Sequence, residues 1–195
     1  MIVNTDILIC DKNGTPRAWQ GMQDAACYYP RDKVVWTLGS PVHTFTGGKN
    51  KDGETSEITV NSIMGVVGPI FGPAFYNRET IYAERFILYG RDLHLCAYCG
   101  GEFHDRQLTI DHVMPQSRGG KNTWMNTVTA CKPCNVMKGN RTPEEAKMHL
   151  LYVPYAPSMF EKMILKNRNI LADQMEFLIG RVPKHSRLLQ KHKVN

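Results

Sequence analysis

Four cysteines stand out in the middle of this 195-residue chain because their spacing suits a metal ion. They form two CxxC pairs at Cys96, Cys99, Cys131 and Cys134. One such pair alone could be a redox pair, whereas two together favour a tetrahedral zinc site. Because four thiolates fill that coordination sphere and leave no position for water, we expect the zinc to stabilise the fold rather than take part in catalysis.

Oxygen and imidazole groups lie close to the same cysteines. Asp111 and His112 are adjacent, Asn126 follows, and Asn135 comes directly after the last cysteine. Carboxylate and amide oxygens are ligands that Mg²⁺ and Mn²⁺ prefer, and a neutral imidazole can take a proton from water near neutral pH. We therefore expect a second, oxygen-ligated metal site beside a general base, which indicates metal-assisted cleavage of a phosphodiester.

The elements that must position these residues form a ββα unit. Residues 108–113 are a β-type run, residues 123–129 can return as a second strand, and a helix can start within residues 135–138. The cysteine pairs would hold this unit at both ends. Side chains alternate along a strand, so Asp111 and His112 are expected to face in opposite directions unless the strand ends or bulges there.

The motif resembles the HNH nucleases, a family of ββα-metal endonucleases, over roughly residues 91–147. The resemblance implies that His112 is the general base and that Asp111 and Asn135 hold Mg²⁺ or Mn²⁺. It also implies that Asn126 ties the loop of the motif together and helps orient the base. Asn135 stands where some members have histidine and others asparagine. The implied reaction is hydrolysis of DNA to 5′-phosphate and 3′-hydroxyl ends.

Basic residues of the same segment are candidates for contacts with substrate phosphates, which position a nucleic acid without reading its sequence. These candidates are Arg118, Lys121, Lys138 and Arg141. An ordinary solvated charge is an almost equally good interpretation of each. His94 and His104 are expected at the surface, and His104 is a weak candidate for substrate contact.

The net charge of +6 is unevenly distributed. Residues 1–90 hold 8 basic and 9 acidic side chains, whereas residues 151–195 hold 8 and 3. A positive segment suits a polyanionic partner such as DNA. A solvated basic tail that keeps the protein soluble explains the same charge equally well.

Two observations bear on the compartment. No apolar run is long enough to cross a bilayer, so no membrane partner is expected. The first residues lack the basic leader and apolar stretch of a secretory signal. We therefore expect a cytoplasmic protein, bacterial or phage-encoded, in which paired cysteines hold metal more often than they form disulfides. The unpartnered Cys10 and Cys27 are expected to be small buried side chains.

The predicted fold class is α+β, with three regions. Residues 1–90 form a mixed α/β region of unknown role, residues 91–150 the HNH domain with its zinc site, and residues 151–195 a basic helical extension. The N-terminal elements are a helix over 23–29, strands over 34–38 and 58–67, a polar loop over 46–53, and a helix or strand over 78–89. In the extension, Ser158 and Glu161 match a capping box that begins a helix packed on the body of the protein. A DNA-clasping or dimerising arm is the alternative.

Together these features predict a metal-dependent HNH endonuclease with a structural zinc ion and a catalytic Mg²⁺ or Mn²⁺ ion. Its partner would be DNA, with a homodimer or a larger DNA-processing complex as candidate assemblies. Two alternatives stay open: a non-catalytic zinc module that binds nucleic acid, and a nuclease directed at RNA.

Overall fold

The computed structural model describes residues 5–49, 51–70 and 85–191, without the side chains of residues 190 and 191. The chain divides into two compact units. The N-terminal unit comprises Met1–Tyr76 with Asn167–Arg181, and the motif unit comprises Asn77–Lys166 with Val182–Asn195. The predicted α+β class is confirmed. The extension predicted over residues 151–195 contributes residues 167–181 to the N-terminal unit and its remaining residues to the motif unit.

The N-terminal unit is built on a four-stranded sheet of order β2-β1-β4-β3. Its strands are β1 (Asp6–Asp11), β2 (Pro16–Gly21), β3 (Val34–Lys49) and β4 (Thr55–Val66). Helix α1 (Met22–Ala26) covers one face, where Ile7, Ile9 and Met64 pack with Met22 and Ala25. Strand alternation directs the fully buried Leu8 and Ile63 to the other face.

Strand β3 is longer than its sequence indicates. The polar residues expected to form a loop over 46–53 continue the strand as far as Lys49. Thr46 pairs with Glu57 and Lys49 with Thr55, with an irregular register between these pairs. Because the ladder to β4 supplies the backbone hydrogen bonds, a polar and glycine-containing segment remains extended. The strand predicted over 58–67 lies within β4 except for its last residue.

The motif unit contains the predicted ββα arrangement. Strands β5 (Leu108–His112) and β6 (Thr127–Cys131) pair antiparallel, and helix α3 (Lys132–Lys138) follows directly. Strand β6 starts four residues later than predicted, because the backbone N–H of Asn126 donates to Thr123 O at 3.0 Å and closes a turn. Helix α3 starts earlier than predicted, with proline in its first turn, where a missing N–H leaves no helical bond unmade. Of the segment predicted as helix or strand over 78–89, the described part belongs to helix α2 (Arg85–Arg91), and residues 78–84 lie outside the described residues.

The C-terminal extension forms separate helices rather than one. Helix α4 (Met159–Lys166) begins at the predicted capping box, in which Glu161 N donates to Ser158 Oγ at 3.3 Å and Ser158 N donates to Glu161 Oε2 at 2.7 Å. The chain then turns at Asn167, whose side-chain oxygen accepts from Asn169 N at 3.0 Å. Helix α5 (Ala172–Ile179) belongs to the N-terminal unit, and α6 (Leu188–Lys191) to the motif unit.

The two unpartnered cysteines have different environments. Cys10 is fully buried in β1, as expected, and burial raises the pKa of its thiol to about 12. Cys27 is exposed, contrary to expectation, because it lies at the C-terminal end of the short helix α1, where its thiol donates to Gln23 O. Among the described helices, none has the length and apolar character that crossing a bilayer requires.

A buried ion pair holds the start of β6 in the motif unit. The side chains of Arg91 and Asp92 are 0% and 1% exposed, with Arg91 Nε 2.8 Å from Asp92 Oδ1. The same guanidinium donates to the carbonyls of Trp124, Thr127 and Tyr155 at 2.9, 2.9 and 2.6 Å. Asp92 in turn accepts from the backbone N–H of Thr129 at 2.8 Å. The pair therefore fixes the backbone that carries Asn126 into the motif.

Arg91→Ala should destabilise the motif unit strongly, because it leaves the Asp92 carboxylate buried without its cation. We expect the free energy of opening of the β6 amides, measured by hydrogen exchange, to fall by about 3–5 kcal/mol. The exposed Arg106 offers a matched control. Arg106→Ala should change the free energy of opening of the β6 amides by less than about 0.5 kcal/mol. Equal effects of the two substitutions would contradict a supporting role for the buried pair.

Candidate active site

The four cysteines of the motif meet in a single cluster. Their Sγ atoms all lie within 4.8 Å of one another. Cys131 ends β6 and Cys134 lies in the first turn of α3, while Cys96 and Cys99 form a tight turn in which Gly100 N donates to Cys96 O at 3.0 Å. A tetrahedral zinc site with Zn–S bonds of about 2.3 Å places its sulfurs about 3.8 Å apart. The cluster therefore has the composition and spacing that a zinc ion requires.

The electrostatics of the cluster also suit a cation. Burial acts to raise the pKa of Cys96, but backbone N–H groups of Cys99, Cys131 and Tyr98 outweigh it and lower that pKa to about 7. Burial and the neighbouring sulfurs raise the pKa of Cys134, and burial also raises that of Cys131. Four thiolates at this distance repel one another, and a divalent cation removes that repulsion.

Asp111 is almost completely enclosed by its partners. Its side chain is 5% exposed, and Oδ1 lies 3.0 Å from the Nζ of Lys138, which is itself 1% exposed. Oδ2 accepts a hydrogen bond from the hydroxyl of Tyr98. Burial, and then that hydrogen bond, raise the pKa of Tyr98, so the phenol stays protonated and donates. Each carboxylate oxygen has two lone pairs, so these contacts leave acceptor capacity for a metal ion.

His112 is the last residue of β5 and is only partly buried, whereas its neighbour Asp111 is buried. Strand β5 ends at His112, and both Asp111 and His112 line the same cleft. The Nε2 atom of His112 lies 3.2 Å from Asn122 Oδ1. When Nε2 carries the hydrogen of the neutral ring, it can donate to this amide oxygen, and the basic lone pair is then on Nδ1.

The side chain of Asn126 closes the loop between β5 and β6. Its Nδ2 donates to the carbonyls of Met114 and Lys121 at 3.0 and 2.9 Å, and its Oδ1 accepts from Met114 N at 2.8 Å. The loop is so compact that a Cβ at Gly120 would lie 1.8 Å from Met114 O, so only glycine fits there. One amide therefore fixes the backbone directly after His112.

Asn135 reaches the same cleft from helix α3. Its Nδ2 donates to Thr109 Oγ1 at 2.9 Å. This hydrogen bond orients the side-chain amide, so that Oδ1 points away from Thr109. A cleft of about 320 Å³ is lined by Asp111, His112, Asn135 and Lys138, with Gln116 and Asn140 at its margin. A carboxylate and an amide oxygen in one cleft are a fitting pair of ligands for Mg²⁺ or Mn²⁺.

The four basic candidates occupy unlike settings. A phosphate contact would require Lys138 to lie at the surface, but its side chain is buried. Helix α3 directs its ammonium inward, to Asp111 and, at 2.7 Å, to His112 O. Arg118 is exposed and pairs with Glu145. Arg141 donates to the carbonyls of Met137 and Lys138 and thereby caps α3. Lys121 is exposed in the loop.

The other expected surface groups lie apart from the cleft of the motif. His94 and His104 line a second, wider cleft of about 1040 Å³, in which His94 Nδ1 is 3.0 Å from Asp105 Oδ1. In the basic tail, the guanidinium of Arg187 stacks 3.7 Å above the ring of Tyr152. That residue is therefore packed rather than a freely solvated charge, while Lys193 lies outside the described residues.

Two residues of the site escaped sequence reasoning. Tyr98 lies between the first two cysteines, where an aromatic residue is easily explained as packing, and Asn122 sits in a polar loop of ordinary composition. Neither has a spacing rule that links it to Asp111 or His112. The position of Tyr98 inside a metal-binding turn was the only available signal.

Comparison with known proteins agrees with this geometry. Residues 96–151 match the family model described as HNH endonuclease, and that match covers the cysteine cluster, the ββα unit and the cleft. A search of curated proteins finds no match to the chain. The resemblance that the motif predicted is therefore confirmed for residues 96–151, which are similar to the HNH endonuclease family.

Proposed function

We propose that the protein is a metal-dependent endonuclease that hydrolyses phosphodiester bonds of DNA, leaving 5′-phosphate and 3′-hydroxyl ends. The observation that carries the proposal is the meeting of an imidazole, a carboxylate and an amide side chain in one cleft. His112, Asp111 and Asn135 line this cleft, and all three lie in the segment that matches the family.

Asp111 and Asn135 would hold the catalytic Mg²⁺ or Mn²⁺ ion through one carboxylate and one amide oxygen. A bound divalent ion would stabilise the charge that develops on the scissile phosphate and on the leaving 3′ oxygen. Thr109 contributes by orienting the Asn135 amide. Lys138 lies on the buried side of Asp111, where its ammonium holds one carboxylate oxygen.

His112 would take the proton from the attacking water through Nδ1. In that tautomer Nε2 would donate to Asn122 Oδ1, a contact that would hold the ring in its orientation. Asn126 acts on the same group indirectly, because it fixes the backbone from Met114 onward and so sets where β5 ends. A base needs such constraints, since proton transfer depends on hydrogen-bond distance and alignment.

The four-cysteine cluster would hold a structural zinc ion through Cys96, Cys99, Cys131 and Cys134. Four protein ligands close the coordination sphere, so this ion would take no part in the reaction. A thiolate zinc site is also in keeping with a reducing compartment such as the cytoplasm.

DNA phosphates would be met by the exposed basic residues around the cleft, among them Lys121, Arg118 and Arg141. Arg118 can leave its surface pair with Glu145 at little cost, because solvent screens exposed ion pairs. One site cuts one strand at a time, so a double-strand break would need a homodimer, a larger DNA-processing complex or a second visit.

His112→Ala should abolish cleavage by removing the base while leaving DNA binding and the fold intact. With Mg²⁺ or Mn²⁺, conversion of supercoiled plasmid to the nicked form should slow by at least about 100-fold. His104→Ala, an exposed histidine in the other cleft, should cut at the rate of the unaltered protein.

Undiminished cutting by the His112 variant would refute the assigned base. If the unaltered protein binds DNA but cuts neither DNA nor RNA with any divalent ion, a zinc-containing binding module is the better description. Cleavage of RNA alone would instead establish the RNA-directed alternative.

Cys131→Ser should release the structural zinc and unfold the motif unit, because Cys131 joins β6 to α3. Elemental analysis should find one zinc ion per chain in the unaltered protein and less in the variant, with a lower melting temperature. Cys27→Ser, at an exposed cysteine outside the cluster, should keep both zinc and stability. A stable, fully active Cys131 variant would contradict the structural zinc.

Asn135→Ala should raise the Mg²⁺ concentration that gives half-maximal cleavage, because it removes the amide ligand and keeps Asp111. A metal titration of the cleavage rate measures the change. Asn169→Ala, at an exposed asparagine of the N-terminal unit, should leave the titration unaltered. Superimposable curves for the Asn135 variant and the unaltered protein would exclude Asn135 as a ligand.

A further inference from the structure

Tyr98 connects the cysteine cluster to the candidate metal site within the motif unit. It lies inside the Cys96–Cys99 turn, and its hydroxyl donates to Oδ2 of Asp111. Its ring packs on the small apolar cluster that Cys96, Ala130 and Cys131 form. The same side chain thus touches the sulfur cluster at its base and the metal-binding carboxylate at its tip.

The turn that carries Tyr98 is held in place by more than its cysteines. The backbone N–H of Ala97 donates to Thr129 O at 2.8 Å, and Thr129 pairs with Ile110, the residue before Asp111. The turn, β6 and β5 therefore form one continuous framework around the carboxylate. A rigid support of this kind determines where the phenol hydroxyl lies.

The two donors to Asp111 have different chemistry. Lys138 Nζ is a cation that would compete with a metal ion for the carboxylate, whereas the Tyr98 hydroxyl is neutral. Because each donor takes one oxygen, Tyr98 prevents the carboxylate from turning both oxygens toward Lys138. Without the hydroxyl, the lysine would be the only one of these two donors to remain, and Asp111 would be drawn to it and away from an incoming cation.

We propose that Tyr98 is a positioning residue that transmits the order of the cysteine cluster to Asp111 and so sets the affinity of the catalytic site for a divalent ion. This inference rests on the proposed function, since it requires Asp111 to be a metal ligand. Tyr98 itself would touch neither the metal nor the DNA.

Tyr98→Phe isolates the hydroxyl, because it keeps the ring that packs on the cluster. Mn²⁺ binding to the zinc-loaded protein without DNA, measured by calorimetry and electron paramagnetic resonance, should weaken by about 10-fold or more. Zinc content should stay unchanged, and the melting temperature should fall only slightly, because Asp111 keeps Lys138 as a partner. In plasmid cleavage, the Mn²⁺ concentration for half-maximal rate should rise, and saturating Mn²⁺ should restore the rate.

Two further variants make the result unambiguous. Tyr29→Phe removes a hydroxyl of the N-terminal unit that donates to Thr59 O at 2.8 Å, and this variant should bind Mn²⁺ like the unaltered protein. Asp111→Asn should lose the Mn²⁺ site. Unaltered Mn²⁺ affinity in Tyr98→Phe, with the site lost in Asp111→Asn, would overturn the role of Tyr98 alone. Unaltered Mn²⁺ binding in Asp111→Asn would overturn the metal site and the inference together.

Discussion

The convergence of four sulfurs within 4.8 Å of one another is the constraint on which the rest of the site depends. It joins two parts of the chain separated by 31 residues, with β5 and all of β6 except Cys131 between them and α3 directly after. Because Cys131 is both the last residue of β6 and the cap of α3, the cluster fixes the angle between strand and helix. That angle brings Asn135 and Lys138 to the cleft that Asp111 and His112 line.

The opposite end of β6 is held by a different force. The buried guanidinium of Arg91 binds the carbonyls of Trp124 and Thr127, and Asp92 binds the N–H of Thr129. Strand β6 is therefore secured at its start by charge-assisted hydrogen bonds and at its end by the cysteine cluster. Strand β5 has β6 as its partner over five residue pairs, so the position of Asp111 and His112 follows from that support.

The charges inside the cleft are balanced before any ligand arrives. Lys138 neutralises Asp111, and both are nearly inaccessible to solvent, so each lowers the cost of burying the other. A lysine that seemed suited to DNA phosphates is thus part of the support of the proposed metal ligand. In the proposed function, contact with a polyanion would fall to residues such as Lys121 and Arg118, which are exposed.

The sequence by itself determined the kinds of ligand, their spacing and the local elements. The two CxxC pairs, the ββα order and the capping box at Ser158 and Glu161 depend on residue type and short separations, and these were predicted correctly. Tertiary structure decided what depends on packing between distant segments: the inward direction of Lys138, the contacts of Tyr98 and Asn122, the length of β3, and the placement of α5 in the N-terminal unit. The physical reason is shown by Lys138 and Asp111, which are 27 residues apart. Their contact is set by how helix α3 packs against strand β5, and no local sequence pattern encodes that packing.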